Sequence, residues 1–220
     1  MSEMRLKPIL FNTEMVNAIL DGRKTVTRRI VKDASDIQGL QPYIVPIYKE
    51  PQGLIAPNGK VHHFKLPYQV GDILYVRETW GISNFDIEEQ AVYIVYKAGD
   101  EKENCQKIIL PKDKIERLYN NYSESEPDWH PSIHMPKEAA RIFLRVTNVR
   151  VERLQDISDE DMLHDFDICP EAVSIVGKDV LAELVWNATV KKSNIDKYDW
   201  AANPWVWVIE FNMINKEDER

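Results

Sequence analysis

Asp21-Gly22-Arg23-Lys24-Thr25-Val26-Thr27-Arg28-Arg29 is the stretch on which the reading of this chain turns. It gathers a helix stop, a lysine, two threonine hydroxyls and three arginines into nine residues of an otherwise acidic protein. Upstream, Pro8–Phe11 reads as a short strand. Asn12 or Thr13 can cap a helix whose Met15, Val16, Ile19 and Leu20 fall on one face. Gly22 stands where that helix should stop in a left-handed turn. Lys24 to Val31 then reads as extended, because Thr25, Val26, Thr27 and Ile30 favour strands. Strand alternation sets Thr25, Thr27 and Arg29 on one face and Lys24, Val26 and Arg28 on the other. Lys24 and Thr27 can converge only if Lys24 lies in the turn before regular pairing. Lys24 and Thr27 are thus candidates for a charged group and an oxygen nucleophile. Arg23, Arg28 and Arg29 are candidates for orienting an anionic or carbonyl-bearing ligand. The plain alternative is a solvated basic turn.

The chain has 220 residues, 44% of them hydrophobic, which suits one compact domain over 1–220 with insertions. A net charge of −8 argues against a generic nucleic-acid coating protein. Any nucleic-acid contact should centre on the Arg23–Lys32 patch. Cys105 and Cys169 lack CxxC spacing, the cysteine usage of a reducing compartment. No apolar signal region opens the sequence and the apolar runs are strand-sized, so a soluble, cytoplasmic protein without membrane partners is expected.

Outward from the motif, residues 33–70 are rich in turn formers, and Asn58-Gly59 predicts a hairpin between Leu54-Ile55 and Val61–Phe64. Val70-Gly71-Asp72 leads through a glycine turn into a strand over Ile73–Trp80, and Ala91–Tyr96 is another strand. Gly99–Pro131 is polar and proline-punctuated, which predicts a long surface loop with a short helix at Asp113–Tyr119. Ile142, Leu144 and Val146 alternate inward, and Val149 and Val151 then take over in a new phase, the mark of a bulge. Ser158 caps a helix through about His164. Pro170 opens a longer one, with Val173, Val176, Val180, Leu181, Leu184 and Val185 as its apolar stripe. Trp205–Phe211 reads as a strand covered on both faces. Strands predominate in an order that is not βαβ, which predicts a mixed α+β, β-rich fold: a small barrel with flanking helices.

The motifs together resemble the ASCH domain family, a branch of the PUA-like superfamily of small β-barrels. Gly22–Arg29 fits that family's G-x-K-x-x-T-x-R pattern, with Arg29 in the arginine place. Val70–Leu74 resembles its glycine–aspartate strand entry, and Trp207–Phe211 is similar to its closing strand. The resemblance covers roughly residues 5–32, 66–80 and 136–212. It leaves about 33–65 and 81–135 as insertions, as in longer versions carried by phages and prophages. It implies either recognition of RNA or a modified base, or hydrolysis. Small bacterial members are amidohydrolases that remove the acetyl group from N4-acetylcytidine with a lysine, a threonine and a glutamate. By position these become Lys24, Thr27 and Asp165. Aspartate shortens the carboxylate's reach by on the order of 1.5 Å.

On that reading Thr27 attacks the acetyl carbonyl. Lys24 serves as base if its pKa falls from about 10.4 to near neutrality, a bias of about 4 kcal/mol, or as oxyanion stabiliser if it stays protonated. Arg29, Arg23, Arg28 and Glu78 are the substrate-binding candidates, with Glu78 reading a base edge. The alternatives are a non-catalytic reader of RNA or a modified base, and a ribonuclease using the same cleft. Trp80, Trp205, Trp207 and Tyr75 read as core, whereas Trp129 and Tyr122 are candidates to face a ligand. His62-His63 and His130/His134 make no convincing ligand set, so neither metal nor cofactor is expected.

Overall fold

A computed structural model describes residues 6–32, 34, 41–44, 51–62, 66–99, 105–120 and 129–216. The strands are β1 (Leu6–Leu10), β2 (Val26–Ile30), β3 (Gln41–Ile44), β4 (Pro51–Ile55), β5 (Val61–His62), β6 (Ile73–Arg77), β7 (Trp80–Asp86), β8 (Ala91–Tyr96), β9 (Cys105–Ile109), β10 (Phe143–Arg153) and β11 (Trp205–Ile214). The helices are α1 (Thr13–Leu20), α2 (Lys112–Tyr119), α3 (Asp159–Phe166), α4 (Pro170–Val176), α5 (Lys178–Thr189) and α6 (Ile195–Tyr198). The chain is mixed α and β, with helix and strand in near-equal shares rather than strand in excess. No closed barrel is found among the described residues. No helix among them is long and apolar enough to cross a membrane.

The described residues fall into two compact units, the first drawn from Met1–Gly22, Ile73–Leu144 and Met213–Arg220. In it β1 runs parallel to β6, from Leu6↔Ile73 to Leu10↔Arg77. Asn12 caps α1 by accepting from Met15 N at 2.8 Å, and Gly22, at φ +73°, follows the helix stop. Val16, Ala18 and Ile19 are buried, but Leu20 is exposed, because its place at the last helical position turns it out of the packed face. β7, β8 and β9 form an antiparallel sheet in that order. Their Trp80, Ile82, Ile94 and Ile108 enclose a core with Leu110, Met135 and Phe143. The polar segment after Gly99 is thus not one long loop. Strand β9 buries only Ile108 of its five residues, too little apolar alternation to be read from sequence. Helix α2 begins one residue before the expected Asp113.

The second unit is drawn from Arg23–Asp72 and Arg145–Asn212. β3, β4 and β5 form a small antiparallel sheet. Its β4–β5 hairpin turns at Asn58-Gly59, where Gly59 takes φ +81° and Asn58 Oδ1 accepts from Lys60 N at 3.0 Å. β2 pairs antiparallel with β11, from Ile30↔Val206 to Val26↔Glu210, and β10 flanks β11 on the other side. Burial along β10 slips phase at the exposed pair Thr147-Asn148, between buried Val146 and Val149, as the sequence pattern predicts.

Val26, Val206 and Val208 meet Leu154, Met162, Ala182, Trp186 and Trp200 in the core of this unit, so one sheet face lies against α3 and α5. Ser158 caps α3 by accepting from Asp161 N at 3.0 Å. The longer helix expected from Pro170 is two helices. Gly177, at φ +95°, ends α4, and α5 restarts with a new phase. Val176, Val180 and Leu184 of the expected stripe are therefore exposed, and Ala182 and Trp186 are buried instead. Trp186 also donates from Nε1 to the Tyr198 carbonyl at 2.8 Å. Trp186→Ala is expected to lower unfolding free energy by about 3–5 kcal/mol. Leu184→Ala, on the face a continuous stripe would bury, is expected to stay within about 0.5 kcal/mol. Urea denaturation of both variants checks the assignment of faces.

Candidate functional site

In the second unit Arg28 follows Val26 by two residues in β2 and pairs across the ladder with Val208. Alternation turns Arg28 to the same face as Val26, under α3. There its side chain is fully buried. α3 carries Asp161 and Asp165 four residues apart, hence on one helical face. β10 offers Glu152, and Arg150 two residues earlier on the same strand face. The result is a chain of ion pairs. Arg28 Nη1 reaches Asp165 Oδ2 at 3.1 Å, Nη2 reaches Glu152 Oε1 at 2.7 Å and Asp161 Oδ2 at 2.8 Å, and Nε donates to Glu152 Oε1 at 3.1 Å. Arg150 Nε meets Glu152 Oε2 at 3.0 Å, and its other nitrogens pair with Asp161 and Glu210.

Lys24 completes the network from the turn before β2. Its Nζ lies 2.6 Å from Asp165 Oδ1 and also donates to the Asp165 carbonyl in the last turn of α3. A cation there satisfies a helix-terminal carbonyl and favours the dipole's negative end. Lys24 and Asp165 are 2% and 4% exposed. Arg23 pairs with Asp167, whose φ of +54° ends α3 in a left-handed residue. Its carbonyl faces His164 Nδ1 at 2.7 Å.

Burial lowers the Lys24 pKa below 10.5. Asp165 works against this fall, and the neighbouring guanidinium charges of Arg29 and Arg28 add to it. Arg28 is penalised by burial too, but Asp165, Glu152 and Asp161 outweigh that and hold it above its usual value. Arg29 is lowered by burial, against the pull of Asp165 and Tyr68. Burial raises the Tyr68 phenol, partly offset by Arg29.

Thr27 is buried opposite Ile209 on the ladder, and alternation turns it to the face away from Arg28. The expected trio therefore reduces, in direct contact, to Lys24 and Asp165. Glu78 belongs to the first unit, where both its oxygens take bonds from Arg141 at 2.9 Å. Burial raises its pKa against the pull of Arg141. Arg141 further donates to the Ala98 carbonyl at 2.8 Å and lies 4.1 Å over the Tyr96 ring, so Glu78 is held inside that unit's own core. Trp80, Trp205 and Trp207 are buried, as read from sequence, and Trp129 is exposed. Tyr122 and His63 lie outside the described residues. Among the described residues no cluster of His, Cys, Asp and Glu is placed to hold a metal ion.

Two hollows meet at His164, and neither is lined by Lys24 or Asp165. One of about 390 Å³ is walled by Arg23, Leu163, His164, Asp167, Ile168 and Pro170. The other, about 320 Å³ and polar, is bordered by Thr25, Thr147, Asp161, His164 and Glu210. His164 borders both, and together with Glu152, Asp161 and Arg150 it was not among the candidates read from sequence. The i, i+4 spacing of Asp161 and Asp165 was the available signal. No family model matches this chain, and no match was found among curated proteins or solved structures.

Asp165→Asn strands two buried cations and is expected to cost about 3–5 kcal/mol of unfolding free energy. Glu210→Gln, at the part-exposed rim, is expected to cost at most about 1 kcal/mol. Lys24 adds a pH signature. Because its folded pKa lies below 10.5, the unfolded chain binds more protons in the window between the two values. Stability should therefore rise with pH through that window. Subtracting a Lys24→Met titration series from the wild-type series by urea denaturation isolates that rise, and a flat difference would contradict the lowered pKa.

Proposed function

We propose that this chain is an ASCH-type, PUA-like protein acting on RNA or a modified nucleoside, and that its reaction is removal of the acetyl group from N4-acetylcytidine. One observation carries the reading. The lysine of the Gly22–Arg29 motif and the acid at the distant helical position, 141 residues apart, meet at 2.6 Å. The order of parts supports it as well. The motif leads into β2, Gly71 at φ +90° and buried Asp72 lead into β6, and β11 pairs with β2.

The chemistry such a site can supply is electrostatic. Paired with Asp165 and buried, Lys24 sits in a medium of low dielectric, next in sequence to Arg23 and Thr25, which each line one hollow. There it favours negative charge developing on the carbonyl oxygen of a bound acetyl amide. Arg29 adds positive potential from the same strand. Thr27, on the opposite face of β2, is a weaker candidate for the attacking group than water.

A second reading, a non-catalytic reader of RNA or a modified base, is favoured by one feature. Lys24 and Asp165 have almost no surface of their own and satisfy each other. Incubation with N4-acetylcytidine, followed by chromatography for cytidine, separates the two. Hydrolysis predicts cytidine release that Lys24→Ala lowers by about a hundredfold or more. Turnover that survives Lys24→Ala overturns the reading. No turnover, together with RNA binding that weakens steeply with salt, supports the reader.

A further inference from the structure

Two consecutive residues before β2 meet two consecutive residues at the end of α3. Lys24 reaches Asp165, and the Arg23 carbonyl faces His164 Nδ1 at 2.7 Å. The two rungs differ in what they offer a ligand. Lys24 and Asp165 are closed off, whereas His164 is half-buried and borders both hollows.

A carbonyl oxygen can only accept, so His164 Nδ1 carries the hydrogen in that bond. The neutral ring is then left with its lone pair on Nε2. Among the described residues Nε2 has no hydrogen-bond partner. A backbone carbonyl thus fixes both the tautomer and the orientation of the ring, the arrangement a proton-transferring histidine needs. Such a group must also come within about 2.6–3.2 Å of the atom it serves. His164 lines both hollows, where a ligand could be held, and Lys24 and Asp165 line neither.

We infer that His164 is the catalytic proton carrier of this site, a role that rests on the amidohydrolase reading. In the reaction a water oxygen bonds to the acetyl carbon and one water proton passes to Nε2. The carbon–nitrogen bond then breaks as that proton moves on to N4. The free amine of cytidine departs, the second water proton leaves with the acetic acid, and the imidazole ends neutral. Lys24 and Asp165 are positioning residues in this step. Lys24 shares a peptide unit with the Arg23 carbonyl that holds His164, and Asp165 adjoins His164 on α3.

The decisive variant is His164→Asn. Its amide nitrogen can replace Nδ1 as the donor to the Arg23 carbonyl, keeping the clamp while removing the proton carrier. Wild type and variant are assayed for release of cytidine from N4-acetylcytidine, with thermal unfolding as the control on folding. The expected result is a kcat at least about a hundredfold lower at unchanged KM and unchanged Tm, partly restored by added imidazole. A variant with wild-type kcat overturns the role of His164 and leaves the hydrolase reading standing. Wild-type protein that releases no cytidine overturns both. Nitrogen-15 NMR of the ring gives a readout apart from activity. The expected signal is a neutral imidazole protonated at Nδ1, and a ring protonated at Nε2 instead removes the geometry behind the assignment.

Discussion

The carboxylate of Asp165 between Lys24 and Arg28 is the interaction on which the second unit depends. Its two oxygens each serve a different cation, and those cations lie four residues apart in the chain, one in the turn and one in β2. A buried charge is tolerated only when its partners are complete. The network meets that condition by sharing: Lys24, Arg28 and Arg150 are each paired with one or more of Asp165, Asp161, Glu152 and Glu210. Losing any inner member uncovers several others at once, since Arg28 alone serves three carboxylates. Such coupling ties the turn before β2 to α3 through Lys24–Asp165 and the Arg23 carbonyl at His164.

That tie is what makes the neighbourhood of α3 chemically interesting. The strongest charges are withdrawn from water, while His164 and Arg23 are left along the hollow walls. Burial weakens the hold of Lys24 on its proton, and Asp165 works against that loss. The site therefore combines buried, paired charges inside with a half-buried histidine at the hollow walls. A surface ion-pair array of the same composition would be screened.

Much of this was legible in the sequence wherever local chemistry decides local geometry. Asn12 and Ser158 as caps, Gly22 as a stop, Asn58-Gly59 as a turn and the slip in β10 all obey rules that act within four or five residues. The reading failed where a single residue resets a period or where burial comes from afar. Gly177 interrupts one apparent stripe and rotates α5 relative to α4, so Leu184 faces out and Trp186 faces in. β9 buries one isoleucine against a neighbouring strand and carries almost no pattern of its own. The site divides in the same way. Alternation already set Lys24 and Arg28 on a different face from Thr27. Nothing local could say that Glu152 and Asp161, more than 120 residues away, would sit opposite Arg28.

The position of β11 in the order of elements has a consequence for biosynthesis. It lies between β10 and β2, with five consecutive buried residues, and it emerges from the ribosome after every other element of its unit. Until then β2 has no ladder partner, and the core around Val26 lacks Val206 and Val208. A nascent chain must therefore keep β2 from sticking for most of its translation, a period in which chaperone capture competes with misassembly.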